Sequence, residues 1–114
     1  MKKKLKKVLN RQKPILLSGT EFVSWNAHKN YNAEILLDTN KKLFFERLES
    51  GDHGLLKIVQ GAGGSHTLAL PSNSKVASNG LGLLNLSTIV GSVDIATFYY
   101  NGVNLFWHLS LNFS

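Results

Sequence analysis

The sequence predicts an all-β protein: a single antiparallel β-sandwich of the jelly-roll type, preceded by a basic N-terminal arm. Three observations support this fold class. Short apolar runs alternate with clusters of Gly, Asn, Asp and Ser at intervals of about ten residues, a spacing typical of sandwiches and jelly rolls. No helical period of useful length follows residue 20. The 114 residues include no Cys, so packing or association must stabilise one domain.

We assign residues 1–19 to the arm and residues 20–114 to the sandwich. The turn-rich segment 26–30 predicts a hairpin-like return between the first two strands of the body, and the glycine-rich segment 61–64 predicts a hairpin turn between the fourth and fifth. These five strands are apolar runs bounded by turn residues: Glu21–Trp25, Tyr31–Leu37, Leu43–Leu48, Leu55–Gln60 and Ser65–Leu70.

Three more strands are predicted in the second half, over Leu81–Ser87, Val93–Tyr100 and Leu105–Phe113. Asn101-Gly102 joins the last two and suits a type I′ hairpin turn, because both residue types tolerate positive φ. In the final strand the odd-numbered positions are all apolar, so we expect that face to belong to the core. Truncation from Leu111 onward is then expected to damage the core.

The net charge of +6 is concentrated in the arm. Residues 1–13 carry seven of the thirteen basic residues and no acidic residue. From residue 14 onward, six basic residues face seven acidic ones, which leaves one net negative charge. The chain therefore combines a cationic arm with a nearly neutral body.

The arm has neither the apolar stretch of a secretory signal nor the roughly 18 apolar residues of a membrane span, so we expect a protein that is not transmembrane. Its leucines and valine have the i, i+3, i+4 spacing of a short basic amphipathic helix that Pro14 would end. We predict that the arm docks onto a partner protein; a disordered tail, nucleic-acid contact and adhesion to an anionic membrane are the alternatives. The predicted contact residues are Lys2, Lys3, Lys4, Leu5, Lys6, Lys7, Val8, Leu9, Arg11 and Lys13.

Several segments of the body resemble a small β domain found in bacteriophage fibre, spike and tail proteins. The resemblance covers residues 20–108 and depends on the order and spacing of its segments. They are Ser24-Trp25-Asn26, the strand and turn leading through Asp38–Phe45, Gly54–Gln60, the Gly-Gly-x-x-Thr-Leu-x-Leu-Pro pattern within Gly61–Pro71, and the Val-Asp-Ile…Phe-Tyr-Tyr-x-Gly pattern of Val93–Gly102.

The resemblance implies a structural protein of the virion, commonly a homotrimer, that projects from the phage particle. The arm would then dock into a capsid, vertex or other virion protein, while the β domain faces outward for host attachment. Three arms on one trimer would bind with avidity. The family has no shared catalytic residues, so the resemblance transfers no catalytic, cofactor-binding or metal-binding site.

The residues themselves indicate no enzyme. The segment Gly61–Ser65 lacks the Gly-Lys-Ser/Thr ending of a phosphate loop. Two carboxylate pairs, Glu46 with Glu49 and Asp38 with Glu34, have no reason from sequence to share a cleft. The four histidines, His28, His53, His66 and His108, lack metal-ligand spacing, although a trimer axis could bring three copies of His66 or His108 together.

Exposed aromatic rings are the remaining candidates for ligand contact, because such rings can stack on sugars. The same rings are often core or subunit interface. A lectin-like carbohydrate-binding module is therefore one alternative function, and a minor capsid protein that tethers nucleic acid through the arm is another. The candidates for contact with a host-surface glycan are Trp25, Tyr31, Tyr99, Tyr100 and Phe106.

Overall fold

The structure is a computed structural model that describes residues 12–77 and 83–113. Its regular elements are strands, which confirms the predicted all-β class. They are β1 (Ile15–Leu17), β2 (Phe22–Trp25), β3 (Asn32–Leu37), β4 (Lys41–Phe45), β5 (His53–Gln60), β6 (Leu68–Ala69), β7 (Ser74–Val76), β8 (Val93–Tyr100) and β9 (Leu105–Phe113).

The first six strands alternate between two sheets. The large sheet has six strands in the order β1-β3-β5-β8-β9-β7, and the small sheet has three in the order β2-β4-β6. Neighbours from successive windings pair in parallel, with Ala33 opposite Leu56 in the large sheet and Val23 opposite Leu43 in the small one. The strands thus wind around a common centre, as in a parallel β-helix.

Parallel winding corrects part of the prediction. The segments 26–30 and 61–64 do not form hairpins, because β2 and β6 lie in the small sheet while β3 and β5 lie in the large one. Turn residues mark where the chain changes direction, but they do not specify which strand it pairs with next. The antiparallel arrangement predicted for the whole body is therefore confined to the pairs that β8 makes with β5 and β9.

The hairpin of β8 and β9 lies between β5 and β7 in the large sheet and confirms the predicted antiparallel pair. Its turn differs from the predicted type I′ turn. Tyr100 pairs with Leu105, which leaves a four-residue connection, and Gly102 has a φ of 98° whereas Asn101 does not have positive φ. Instead, Asn101 Oδ1 accepts hydrogen bonds from the backbone N–H groups of Val103 at 2.9 Å and Asn104 at 2.8 Å.

The inward faces of both sheets contribute to one apolar core. Trp25 of the small sheet packs edge-on against Phe98 of the large sheet, with ring centroids 5.3 Å apart. Phe45 lies 5.0 Å from Phe98 and 6.2 Å from Trp107. Gly54 faces the same cluster, where an added Cβ would lie 2.8 Å from both Phe98 and the Tyr31 carbonyl oxygen. The aromatic cluster therefore joins the sheets and requires glycine at that position.

The predicted strand Leu81–Ser87 is wrong for residues 83–87, which are not in a strand; residues 81 and 82 lie outside the described part of the chain. Leu84 and Leu86 nevertheless pack into the core. The backbone N–H of Ser87 donates to Asp94 Oδ2 at 2.7 Å. This backbone group therefore bonds to a buried carboxylate rather than to a neighbouring strand.

The apolar face of β9 is buried at its beginning and exposed at its end. Leu105 and Trp107 are buried, whereas Leu111 and Phe113 are exposed. The register shifts opposite Val93 and Ile95, and Asn112 adopts a φ of 57°, as at a bulge. The prediction that Leu111 and Phe113 belong to the core is therefore wrong, and their apolar surface faces outward.

The large sheet begins inside the segment assigned to the arm. Ile15–Leu17 pair with β3, and Leu17 is buried in the core. Gln12 also contacts the body, because its carbonyl oxygen accepts a 2.7 Å hydrogen bond from Asn32 Nδ2. Lys13 is exposed, and the other predicted contact residues, with their amphipathic helix, lie outside the described residues.

Candidate functional site: the outer face of the large sheet

The outer face of the large sheet places an aromatic set and an aliphatic set at opposite ends of the strands. Residues in register share a face, so the side chains can be read as rows across the sheet. The aromatic row consists of His53, Tyr99 and Phe106, with Tyr31 stacked on His53. The aliphatic row consists of Leu36, Val59 and Val93, with the phenyl ring of Phe113 at its end. On β5, His53 and Val59 are six residues apart, which corresponds to about 20 Å.

The aromatic row crosses β5, β8 and β9 at one end of these strands. His53 pairs with Tyr99, and Tyr99 pairs with Phe106. Tyr31 stacks on His53 with ring centroids 5.3 Å apart and an interplanar angle of 21°. Tyr99 is 49% exposed and Phe106 is 45% exposed, so these rings are presented to solvent rather than buried in the core.

Polar side chains border this row. Lys75 of β7 is opposite Phe106 and extends the row at the edge of the sheet. The next row consists of Leu55 on β5, Thr97 on β8 and His108 on β9. Thr97 and His108 are exposed and lie opposite one another. The rings therefore have hydroxyl, imidazole and ammonium groups beside them, the combination that a polar ligand with an apolar face requires.

The aliphatic row has a different character. Leu36, Val59, Val93 and Phe113 follow one another across β3, β5, β8 and β9. Ile89 and Val90, in the turn before β8, are also exposed. The ion pair of Lys57 with Glu34, 3.7 Å long, lies in the next row and separates this apolar end from the polar middle of the face.

A histidine and two carboxylates meet in the loops near the aromatic end. His28 Nε2 lies 2.8 Å from Glu49 Oε2, and its Nδ1 lies 3.2 Å from Asp52 Oδ1. Asp52 Oδ2 also accepts the Glu49 backbone N–H at 2.8 Å. These contacts connect the β2–β3 loop to the β4–β5 loop. Sequence reasoning missed this cluster, because His28 is more than twenty residues from both carboxylates and no spacing signals their contact.

The structure separates the five predicted glycan-contact residues. Tyr31, Tyr99 and Phe106 lie in the aromatic row. Trp25 is completely buried, and its Nε1–H donates to the Asn30 carbonyl oxygen at 2.9 Å, so the prediction that it contacts a glycan is wrong. Tyr100 lies on the inner face, and its hydroxyl donates to the Gly102 carbonyl oxygen at 2.9 Å. Aromatic content alone does not distinguish the two faces of a strand.

Asp38 and Glu34, which have no reason from sequence to share a cleft, each pair with a lysine instead. Asp38 pairs with the buried Lys41 at 3.0 Å, and Glu34 pairs with Lys57. Lys41 Nζ also donates to the carbonyl oxygens of Gly19 and Thr20. The Lys41 ammonium holds the pKa of the Asp38 carboxyl below its usual value of 3.8, through a hydrogen bond first and charge attraction second. This contact ties the β3–β4 turn to the β1–β2 connection.

His66 and His108, the two histidines considered for a metal site on a trimer axis, lie in different parts of the fold. His66 is half-buried, and its Nε2 lies 2.6 Å from the Ala62 carbonyl oxygen. His108 is exposed on the outer face beside the aromatic row. Within residues 12–77 and 83–113, no three His, Asp or Glu side chains are grouped as a metal site would require.

The described part of the chain has no helix with the length and apolar character needed to cross a membrane. Comparison with protein-family models, with curated proteins and with solved structures gives no match. The outer face of the large sheet therefore has to be interpreted from its own chemistry.

Proposed function

We propose that the protein is a structural protein of a bacteriophage particle, a short fibre or spike that assembles as a homotrimer and contributes to host attachment. The proposal joins the resemblance of residues 20–108 to fibre and spike domains with the chemistry of the outer sheet face. The proposed form of the domain is a two-layer β-sandwich, and we propose no catalytic role for it.

The aliphatic row is the observation that carries the proposal; it is exposed at Leu36 and Phe113 and half-buried at Val59 and Val93. Apolar side chains from four neighbouring strands lie side by side, although residues on the inner faces already fill the core. A contiguous apolar patch on a sheet face is typical of a protein–protein contact. A second copy of the chain is the partner that a symmetric fibre supplies, and burying the row between copies stabilises the assembly.

The N-terminal arm is proposed as the anchor in a capsid, vertex or other virion protein. Its seven basic residues contrast with a body that carries one net negative charge, which suits docking onto an acidic surface. β1 lies within the segment assigned to the arm and pairs with β3 in the large sheet, so an anchored arm would hold the domain at a defined position.

The trimer is tested by light scattering and sedimentation of the full chain. We expect a trimer for the wild type and a shift to monomer for Leu36→Asp combined with Phe113→Asp. The control is Leu16→Asp, which places one negative charge on the same face outside the row, where the double variant places two within it. A wild-type monomer, or a control that dissociates as readily as the double variant, contradicts assembly through the aliphatic row.

The anchor is tested by removing residues 2–13 and measuring incorporation into particles. We expect the truncated protein to be absent from purified particles. Normal incorporation contradicts the anchoring role. DNA binding that falls steeply with salt and disappears in the truncated protein would support a nucleic-acid tether instead.

A further inference from the structure

The rings of the aromatic row are not needed for the core. On β8 and β9 the inward positions next to them are Phe98, Leu105 and Trp107, which are all buried. Tyr99 and Phe106 point to the opposite face and are about half exposed. Two large rings paired across strands thus form an exposed platform on a part of the sheet with hydrogen-bonded neighbours on both sides.

The shape of the platform restricts the ligand. The row extends over three strand-to-strand intervals from Tyr31 beside β5 to Lys75 on β7, a width of about 14 Å. Its positions are successive points across one face of a pleated sheet. A flat extended molecule can contact several rings at once, whereas a compact ligand that needs enclosure would remain mostly in solvent.

The chemistry beside the rings indicates an oligosaccharide. A sugar ring presents apolar C–H groups on its faces and hydroxyl groups at its edge. The faces match Tyr99 and Phe106, and the edge matches the hydrogen-bonding groups of Thr97, His108 and Lys75 in the bordering positions. The aliphatic row is bordered by Glu34 and Lys57, but these two charges pair with each other at 3.7 Å, so that row suits a protein surface.

We propose that the aromatic row is a binding site for a short linear oligosaccharide of the host surface, which lies across β5, β8 and β9. Tyr99 and Phe106 stack on successive sugar rings, and Thr97 and His108 bind hydroxyl groups along one side. The stacked pair of Tyr31 and His53 forms the end of the platform. This inference rests on the proposed attachment role, for which it names the surface and the class of ligand.

The binding test uses the full-length protein on a printed panel of bacterial O-antigen and capsule oligosaccharides, followed by calorimetric titration of the strongest binder. We expect Tyr99→Ala and Phe106→Ala each to weaken binding about tenfold, because each removes one stacking ring. Thr97→Val, which replaces the hydroxyl by a methyl group, should also weaken it while leaving the rings in place.

Phe22→Ala is the matched control. Phe22 is 54% exposed and contacts another ring, Phe44, but it lies on the small sheet. We expect this variant to bind as the wild type does. Equal weakening by Phe22→Ala, or retained binding in Tyr99→Ala and Phe106→Ala, overturns the site. Failure of the wild type to bind any oligosaccharide of the panel overturns it as well.

Trimer formation and particle incorporation are measured on the same variants, so the two proposals can fail separately. A wild-type trimer that enters particles but binds no oligosaccharide overturns the glycan site and leaves the structural role standing. A monomer that binds oligosaccharide through Tyr99 and Phe106 supports the site and overturns the fibre, in favour of a lectin-like module. Loss of the trimer in Tyr99→Ala would show that the row contacts another copy, which also overturns the site.

Discussion

Asp94 connects three parts of the chain through one buried carboxylate. Its oxygens accept hydrogen bonds from the Ser87 N–H and Ser87 hydroxyl, both at 2.7 Å, and from the Asn112 N–H at 2.8 Å. Only 2% of the residue is exposed, so these donors take the place of water. The carboxylate therefore holds the segment before β8 and the end of β9 against β8.

Replacing Asp94 with Ala is expected to lower the free energy of unfolding by about 2–4 kcal/mol, because three donors lose their acceptor inside the protein. Asp94→Asn keeps the shape and one acceptor oxygen, and should cost less. Urea unfolding followed by circular dichroism measures both variants. Equal stability of wild type and Asp94→Ala would contradict the structural role of the carboxylate.

Gly54 is a second residue whose identity follows from packing. A Cβ at this position would lie 2.8 Å from the Tyr31 carbonyl oxygen and 3.0 Å from the Trp25 ring. Gly54→Ala is expected to destabilise the protein by about 1–3 kcal/mol through overpacking. The control is Gly51→Ala, where the space is open but φ is 96°. Thermal unfolding should show a larger loss of stability for Gly54→Ala than for Gly51→Ala if overpacking costs more than backbone strain.

The contact between Asp38 and Lys41 makes stability depend on pH. The folded-state pKa of Asp38 is lowered, so its contribution is present above the usual pKa of 3.8 and is lost as the pH falls through the folded value. We expect wild type to be more stable than Asp38→Asn near neutral pH, with the difference disappearing in acid. Unfolding midpoints measured from pH 7 down to about pH 2 test this sign. A difference that grows in acid would contradict it.

Among the elements, β9 divides into a core half and a surface half. Its first half pairs along β8 and β7 and buries Leu105 and Trp107. Beyond the shift in register, Phe113 still pairs with Val93, but its ring belongs to the exposed aliphatic row. The end of this strand is therefore available for contact with another copy.

Removing residues 111–114 is expected to reduce stability by about 1–2 kcal/mol, because the described residues 111–113 contribute one hydrogen bond to Asp94 and the pairing of Phe113 with Val93 but no buried side chain. The fold should remain, while trimer formation should weaken. Circular dichroism and light scattering on one truncated sample separate these effects. Complete loss of structure would restore the expectation that the whole face of β9 is core.

At the scale of the whole molecule, the aromatic cluster makes the two sheets depend on each other. Trp25 lies in the small sheet and Trp107 in the large one, and both rings contact Phe98. The Trp107 indole N–H also donates to Ser74 Oγ of β7 at 3.0 Å. Loss of either sheet would expose the rings of the other, so the described body should unfold as one unit.

Single-tryptophan variants test this cooperativity. Trp25→Phe leaves Trp107 as a fluorescent probe of the large sheet, and Trp107→Phe leaves Trp25 as a probe of the small one. Within each variant, urea midpoints from fluorescence and from far-ultraviolet circular dichroism are expected to coincide. A fluorescence midpoint that differs from the circular dichroism midpoint would show that one sheet unfolds first.

Local patterns in the chain were enough to predict the all-β class and the hairpin of β8 and β9. Alternation of apolar and polar residues reports which side of a strand is buried, and Asn-Gly reports a reversal of the chain; both are short-range effects. The same patterns placed Trp25 among exposed rings and assigned the end of β9 to the core. These local patterns do not predict burial reliably, because burial depends on which other parts of the chain cover a strand.

Pairing was decided by the tertiary structure. Short strands separated by turns are compatible with hairpins and with parallel winding alike, and the choice depends on contacts between residues twenty or more positions apart. The same long-range contacts bring His53 into line with Tyr99, join His28 to Glu49 and Asp52, and collect the aliphatic row. The alternating pattern thus specified most of the strands, while packing between distant segments selected the sheet order, the buried faces and both surfaces of the proposed function.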